Sequence, residues 1–237
     1  MNYKFLLPLI GVLLGVSAHI SPAAVVLADN FNEYTNATLI GNASPIQSNP
    51  GGEFGIAGSW TRFGAATTGG IDSIAGGVGG TRGASYSAGW ASGTTGFTRY
   101  TFTSVQDLSL LEEITLDLNV NTALAGTTVA VQIRSGATYF QSITPLALTN
   151  TAFSTFAFDT TSAALSRVAG TGTYADTLAA VDAVVFIFSN AGGSGSQAIR
   201  FDNFNLVTVP EPSAAVALGL AGMLLMRRRS TRGSIRG

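Results

Sequence analysis

The clearest regularity in the chain is strict alternation of apolar and polar side chains over short runs. In Ile114-Thr115-Leu116-Asp117-Leu118-Asn119-Val120-Asn121 the even positions are apolar and the odd ones polar. That period of two predicts a strand with one buried face. Val129, Val131 and Ile133 repeat it with Ala130, Gln132 and Arg134 opposite, and Thr98-Arg99-Tyr100-Thr101-Phe102-Thr103 is a third run, rich in β-forming residues. Ala183-Val-Val-Phe-Ile-Phe188 is apolar at every position, which predicts a central strand covered on both sides. Ile199 and Phe201, then Phe204 and Leu206, change parity near Asn203 and predict a bulge or corner there.

Turn chemistry separates these runs at Gly126, Gly136, Pro145, Gly170, Gly172, Gly192, Gly193 and Gly195. Short strands spaced this way predict an all-β fold, an antiparallel β-sandwich. Residues 51–96 are rich in glycine and serine and predict short strands around Trp60 and Tyr86 joined by long loops. Within the middle segment only Ser162 to Arg167 reads as a helical turn. No repeat recurs at a period of 20 to 50 residues, so a solenoid is not expected.

The two ends break the pattern. Lys4 precedes the apolar run Phe5–Val16, and small side chains offer cleavage after Ala18 or after Ala23. Residues 1–23 therefore read as a secretory signal peptide, outside the fold. At the other end Val209-Pro210-Glu211-Pro212 leads into the apolar run Ala214–Met226, closed by Arg227-Arg228-Arg229. As a helix that run spans about 20 Å, short of the roughly 30 Å hydrocarbon core of a bilayer. Arginine stems that snorkel to the interface extend its effective reach, and positive charge after the run places the tail in the cytoplasm. The expected organisation is a leader (1–23), a β-sandwich ectodomain (24–208) and a C-terminal segment with a single apolar helix (209–237).

This order of features resembles the PEP-CTERM sorting signal of Gram-negative bacteria, carried by Val209, Pro210, Glu211, Pro212, the apolar span, and Arg227, Arg228 and Arg229. The resemblance implies recognition by a membrane exosortase, cleavage near the Pro-Glu-Pro, and delivery to the cell surface or an exopolysaccharide matrix after a transient inner-membrane stage. The extension from Ser230 to Gly237 departs from tails that stop soon after the basic cluster.

Composition narrows the chemistry. Cysteine is absent and histidine occurs once, at His19, inside or beside the leader depending on which cleavage site is used, which excludes Cys/His zinc sites, cysteine nucleophiles and disulfides. A Ser-His-Asp triad has no suitable histidine. Between Val25 and Thr208 there are twelve acids, six arginines and no lysine, so this segment repels nucleic acid and anionic lipid rather than attracting them. Glu113 and Asp117 share the polar face of one strand about 13 Å apart, too far for a glycosidase pair. Gly76–Gly83 lacks the lysine and the strand-to-helix setting of a phosphate loop.

The strand pattern resembles the jelly-roll domains of carbohydrate-binding modules and lectin-like sandwiches. Ala28-Asp29-Asn30-Phe31 near the start and Ile199-Arg200-Phe201-Asp202-Asn203-Phe204 near the end carry the likeness, and Asp-Asn-Phe-Asn occurs in both places. The resemblance implies a first and last strand lying side by side, and a structural calcium between them, here at Asp29 and Asp202. Trp60 and Trp90, beside glycine-rich stretches, are the candidate aromatic contacts for a sugar. The expectation is a non-enzymatic surface or matrix protein with a structural or adhesive role in a polysaccharide layer. A binding module with one defined glycan site is the alternative, and a glycan hydrolase comes third. No other cofactor is expected.

Charge-neutral replacement of Arg227, Arg228 and Arg229 by glutamine is expected to abolish surface delivery. Cell fractionation and intact mass with and without the exosortase check it: loss of residues beyond Pro212 should occur only in the unmodified chain with the enzyme present.

Overall fold

The computed structural model describes residues 24–29, 31, 39–40, 48–49, 56, 58–64, 71–75, 77–80 and 82–209, all within the compact unit Ala23–Val209. The leader, the Pro-Glu-Pro, the apolar span and the arginine cluster lie outside the described residues. No helix among the described residues is long and apolar enough to cross a membrane.

Two antiparallel sheets face one another. Sheet I contains β1 (Ala24–Asp29), β2 (Leu39–Ile40), β5 (Ile71–Ala75), β6 (Arg82–Trp90), β8 (Leu111–Val120), β12 (Ser154–Asp159) and β15 (Gly195–Thr208), in the order β12-β8-β15-β6-β5-β2 with β1 beside β15. Sheet II contains β3 (Ser48–Asn49), β4 (Gly58–Gly64), β7 (Thr94–Gln106), β9 (Thr127–Ser135), β10 (Thr138–Ser142), β11 (Leu146–Ala147), β13 (Leu165–Ala169) and β14 (Val181–Asn190), in the order β13-β10-β9-β14-β7-β4-β3 with β11 beside β9. The chain repeatedly crosses from one sheet to the other, as between β6, β7, β8 and β9. The first and last strands lie side by side, Ala24 opposite Thr208, as the resemblance implies.

Alternation decides which side chains enter the core. From sheet I come Ile114, Leu116, Leu118 and Val120 on β8, with Ile199, Phe201, Phe204 and Leu206 on β15. From sheet II come Trp60, Tyr100, Val184, Phe186, Phe188, Val129, Val131 and Ile133, all in one buried cluster. The parity change in β15 is a bulge: its pairing with β8 shifts between Asp202 and Asn205, and Asn203 adopts φ 47°. Asparagine tolerates this left-handed conformation better than other side chains. One extra residue thus returns Phe204 to the core face that Phe201 occupies.

Two features depart from expectation. Residues 162–164 form a turn that leads directly into β13, so the helical turn read over Ser162–Arg167 is not there. The one α-helix among the described residues is α1 (Tyr174–Leu178), started by a capping box in which Thr173 and Asp176 satisfy each other's backbone N–H groups. The Thr173-x-x-Asp176 spacing carried that signal. The helix is pinned by a hydrogen bond from the Tyr174 hydroxyl to the Thr160 carbonyl.

A polar contact crosses the core from one sheet to the other. The Trp60 indole N–H of β4 donates to Asp29 Oδ2 at the end of β1, at 2.8 Å, while Asp29 Oδ1 accepts the Phe31 N–H, also at 2.8 Å. Asp29 is 4% exposed and Trp60 is 0% exposed. A buried carboxylate is tolerated only where donors replace water. Phe31, held at φ 57°, packs its ring against Trp60 and Phe201 at 5.5 and 5.4 Å.

Trp60→Phe keeps most of the aromatic volume and removes that donor. It is expected to lower stability by about 2 kcal/mol, the worth of a hydrogen bond to a charged group. A lower urea midpoint at unchanged slope checks it.

Candidate functional site

Trp60 is fully buried in the core, ringed by Phe31, Tyr100, Phe186, Phe201 and Phe204. It cannot serve as a sugar platform, because the glycine-rich flank that suggested exposure belongs to a strand facing inward. Trp90 ends β6, with its backbone opposite Gly195, and its side chain lies outside the described residues.

Asp29 and Asp202 occupy neighbouring strands but point to opposite sides of sheet I. Asp29 turns into the core toward Trp60. Asp202 turns outward, where Oδ2 accepts the Val78 N–H and Oδ1 the Asn203 N–H, each at 2.8 Å. Each of their four carboxylate oxygens thus accepts an N–H of the protein. Among the described residues no three His, Cys, Asp or Glu side chains gather as a metal site.

The outer face of sheet I holds acid pairs that strand spacing alone concealed. Glu113 lies directly opposite Asp159 on β12, and Asp117 directly opposite Asp202 on β15. Such neighbours repel unless donors intervene. Asp117 Oδ1 accepts the Thr155 hydroxyl at 2.5 Å and Oδ2 the Asn203 side-chain amide at 2.8 Å. Asp159 Oδ1 accepts the Thr161 N–H at 2.7 Å.

The outer face of sheet II is different in kind, and its cross-strand register builds it row by row. Phe63, Phe97, Ile187 and Ala130 form one row across β4, β7, β14 and β9. Thr61, Arg99, Val185, Gln132 and Gln141 form the next, extending to β10. Ser59, Thr101, Ala183, Arg134 and Tyr139 form the third. Val185, Ile187 and Ala130 are buried as a second apolar cluster, packed against the partly buried Phe63 and Phe97. This is how β14 comes to be covered on both sides.

Rings and guanidinium groups lie above that apolar floor. Phe63 and Phe97 stack with centroids 4.9 Å apart and planes 3° from parallel. Arg99 lies over the Phe63 ring at 5.4 Å, and Arg134 approaches the same ring at 6.0 Å while stacking over Tyr139 at 4.6 Å. These are cation–π distances. Each arginine is also tethered through Nε, Arg99 to the Thr61 hydroxyl at 3.3 Å and Arg134 to Gln132 Oε1 at 2.6 Å. Gln132 in turn donates to Gln141 Oε1 at 3.1 Å. Burial, and then the positive charge of Arg99, press the Arg134 pKa below its ordinary value, while Tyr139 and Asp182 act the other way. The guanidinium nonetheless stays protonated.

Gln132 is buried and braces the array from below, while flat rings, the half-buried Gln141 amide and two fixed cations share one partly exposed face. That combination can stack on the apolar face of a sugar ring and hydrogen-bond its hydroxyls. Alternation placed Gln132 and Arg134 on the outer side of β9, but the order of strands that sets Phe63, Arg99 and Tyr139 beside them was not legible locally.

No protein-family model matches the chain, and no curated protein matches it. Among solved structures, the chain is similar to the family 11 carbohydrate-binding module of a cellulosomal cellulase of Clostridium thermocellum. The identity is 14%, with 79% of this chain and 96% of that one covered, at a TM-score of 0.45. A family 29 carbohydrate-binding module shows 13% identity over 78% of this chain and 89% of its own, at a TM-score of 0.40. An agarase shows 9% identity over 74% of this chain and 25% of its own, at a TM-score of 0.45.

Phe63→Ala removes the ring on which both arginines rest and uncovers Val185 and Ile187. It is expected to cost about 2 kcal/mol and to raise binding of a hydrophobic dye to the native protein. Urea titration and dye fluorescence below the unfolding transition check both effects.

Proposed function

We propose that this chain is an exported protein of the bacterial surface or extracellular matrix, sorted through its Pro-Glu-Pro, apolar and triple-arginine end, whose β-sandwich contacts polysaccharide through the outer face of sheet II. The observation that carries the contact is the single row-and-column array in which Phe63, Phe97 and Tyr139 lie beside Arg99, Arg134, Gln132 and Gln141. A structural or adhesive role follows from the same face, because a sugar polymer laid across several strands meets many weak contacts at once. The jelly-roll reading of the sandwich is supported by the side-by-side first and last strands and by the repeated crossing between sheets.

The role is non-enzymatic in this reading. Asp117, opposite Asp202, has both carboxylate oxygens engaged by protein donors. The partners are a polysaccharide matrix and, during export, an exosortase-like membrane protease.

A glycan array probed with the full-length chain tests the contact. Binding is expected from the unmodified protein, and a loss of about tenfold or more from a Phe97→Ala variant. Trp90→Ala, on sheet I, is expected to bind as the unmodified protein does. Loss on Trp90→Ala with retention on Phe97→Ala moves the contact to the other sheet, and no signal on any glycan removes the defined site.

A further inference from the structure

Of the six arginines between Val25 and Thr208, two converge on a single ring of the sheet II outer face in a segment that is otherwise acidic. Neither forms an ion pair with a carboxylate among the described residues, and the hydrogen bonds of each run through Nε alone. The terminal nitrogens, which carry most of the fork's donor capacity, are left for something else. Asp182, whose charge acts on Arg134, spends Oδ2 on the Gly136 N–H at 2.6 Å.

Two further details favour a ligand with a negative charge. The arginines repel one another, which is part of what depresses the Arg134 pKa. An oxyanion between them relieves that repulsion, and a neutral hydroxyl does not. Second, both guanidinium groups are oriented before any ligand arrives, Arg134 between Tyr139 and its Gln132 tether and Arg99 over Phe63 beside Thr61. A fork already fixed in place loses less freedom when it engages two oxygens of one anionic group.

Resting on the glycan-contact reading above, we infer that the polysaccharide bound by this face is anionic, with a carboxylate or sulfate oxyanion held by Arg99 and Arg134 while the sugar ring lies against Phe97. The competing explanation is purely structural: the arginine stems roof Val185 and Ile187, as long side chains commonly do over apolar surface. In that case their charge matters to stability and not to ligand choice.

Titration calorimetry on the full-length chain separates these. The probes are an alginate hexamer, the same hexamer with its carboxyl groups reduced to alcohols, dextran sulfate, and unmodified dextran. The expected result is at least about tenfold tighter binding of a charged probe than of its neutral counterpart, with the preference weakening as salt rises. Preference for the alginate hexamer alone assigns a uronic acid, and preference for dextran sulfate alone assigns a sulfate ester. Arg99→Gln with Arg134→Gln should remove the preference, and Arg134→Lys, which keeps the charge and loses the fork, should retain part of it. Equal binding of charged and neutral hexamers, lost on Phe97→Ala, overturns the charge assignment and leaves the glycan contact standing. A charge preference that survives the double glutamine variant overturns the assignment to these two residues. Binding of neither charged nor neutral probes, by a chain whose circular dichroism is that of a folded β protein, overturns both readings.

Discussion

A buried hydrogen bond ties the two layers of the sandwich to one another. Most of the core is apolar contact, which is strong but tolerant of sliding. The bond from the Trp60 indole to Asp29 is directional and crosses from β4 to β1. It fixes where the first strand ends, and Asp29 then uses its other oxygen to turn the chain so that Phe31 enters the aromatic cluster. Removing either partner leaves a carboxylate or an indole N–H in a place that water does not reach, and such orphaned groups cost more than the contact itself contributes.

Sheets of this kind have two outer faces, and here they have been given opposite characters. On sheet I, acids stand opposite acids, and Asn203, Thr155 and the Thr161 N–H supply the donors that make this tolerable. The bulge at Asn203 serves both sides at once: its backbone returns Phe204 to the core and its side chain reaches Asp117. Sheet II instead buries apolar residues on its outer side and surrounds them with rings and cations. Charge is thus sorted by layer within a segment whose overall balance conceals it.

Much of the fold was legible because a period of two needs only local reading. The strands around Leu116 and Val131 and the corner at Asn203 were visible as parity, and the strand around Phe186 as an unbroken apolar run. Residues whose role depends on a distant partner were not. Trp60 sits among glycines and serines, and nothing nearby announces that Asp29, thirty-one positions earlier, will take its indole proton. The same limit hid the acid pairs, because Glu113 and Asp159 become neighbours only through the order of strands. It also hid the sheet II face, assembled from five separate strands. The two carboxylates near the repeated Asp-Asn-Phe-Asn strings looked like a pair, yet one faces inward and the other outward. The parity that identifies β15 was also the clue that its aspartate points away from Phe201.

The last strand carries a mechanical consequence. β15 is clasped along its length by β8, and on its other edge first by β6 and then by β1. Tension applied at Thr208, where the chain leaves the domain, runs parallel to the strand, so the bonds of three ladders share the load together. A strand held at a sheet's rim would instead peel away one bond at a time. The interior position of β15 makes the exit point of this domain a place suited to being pulled.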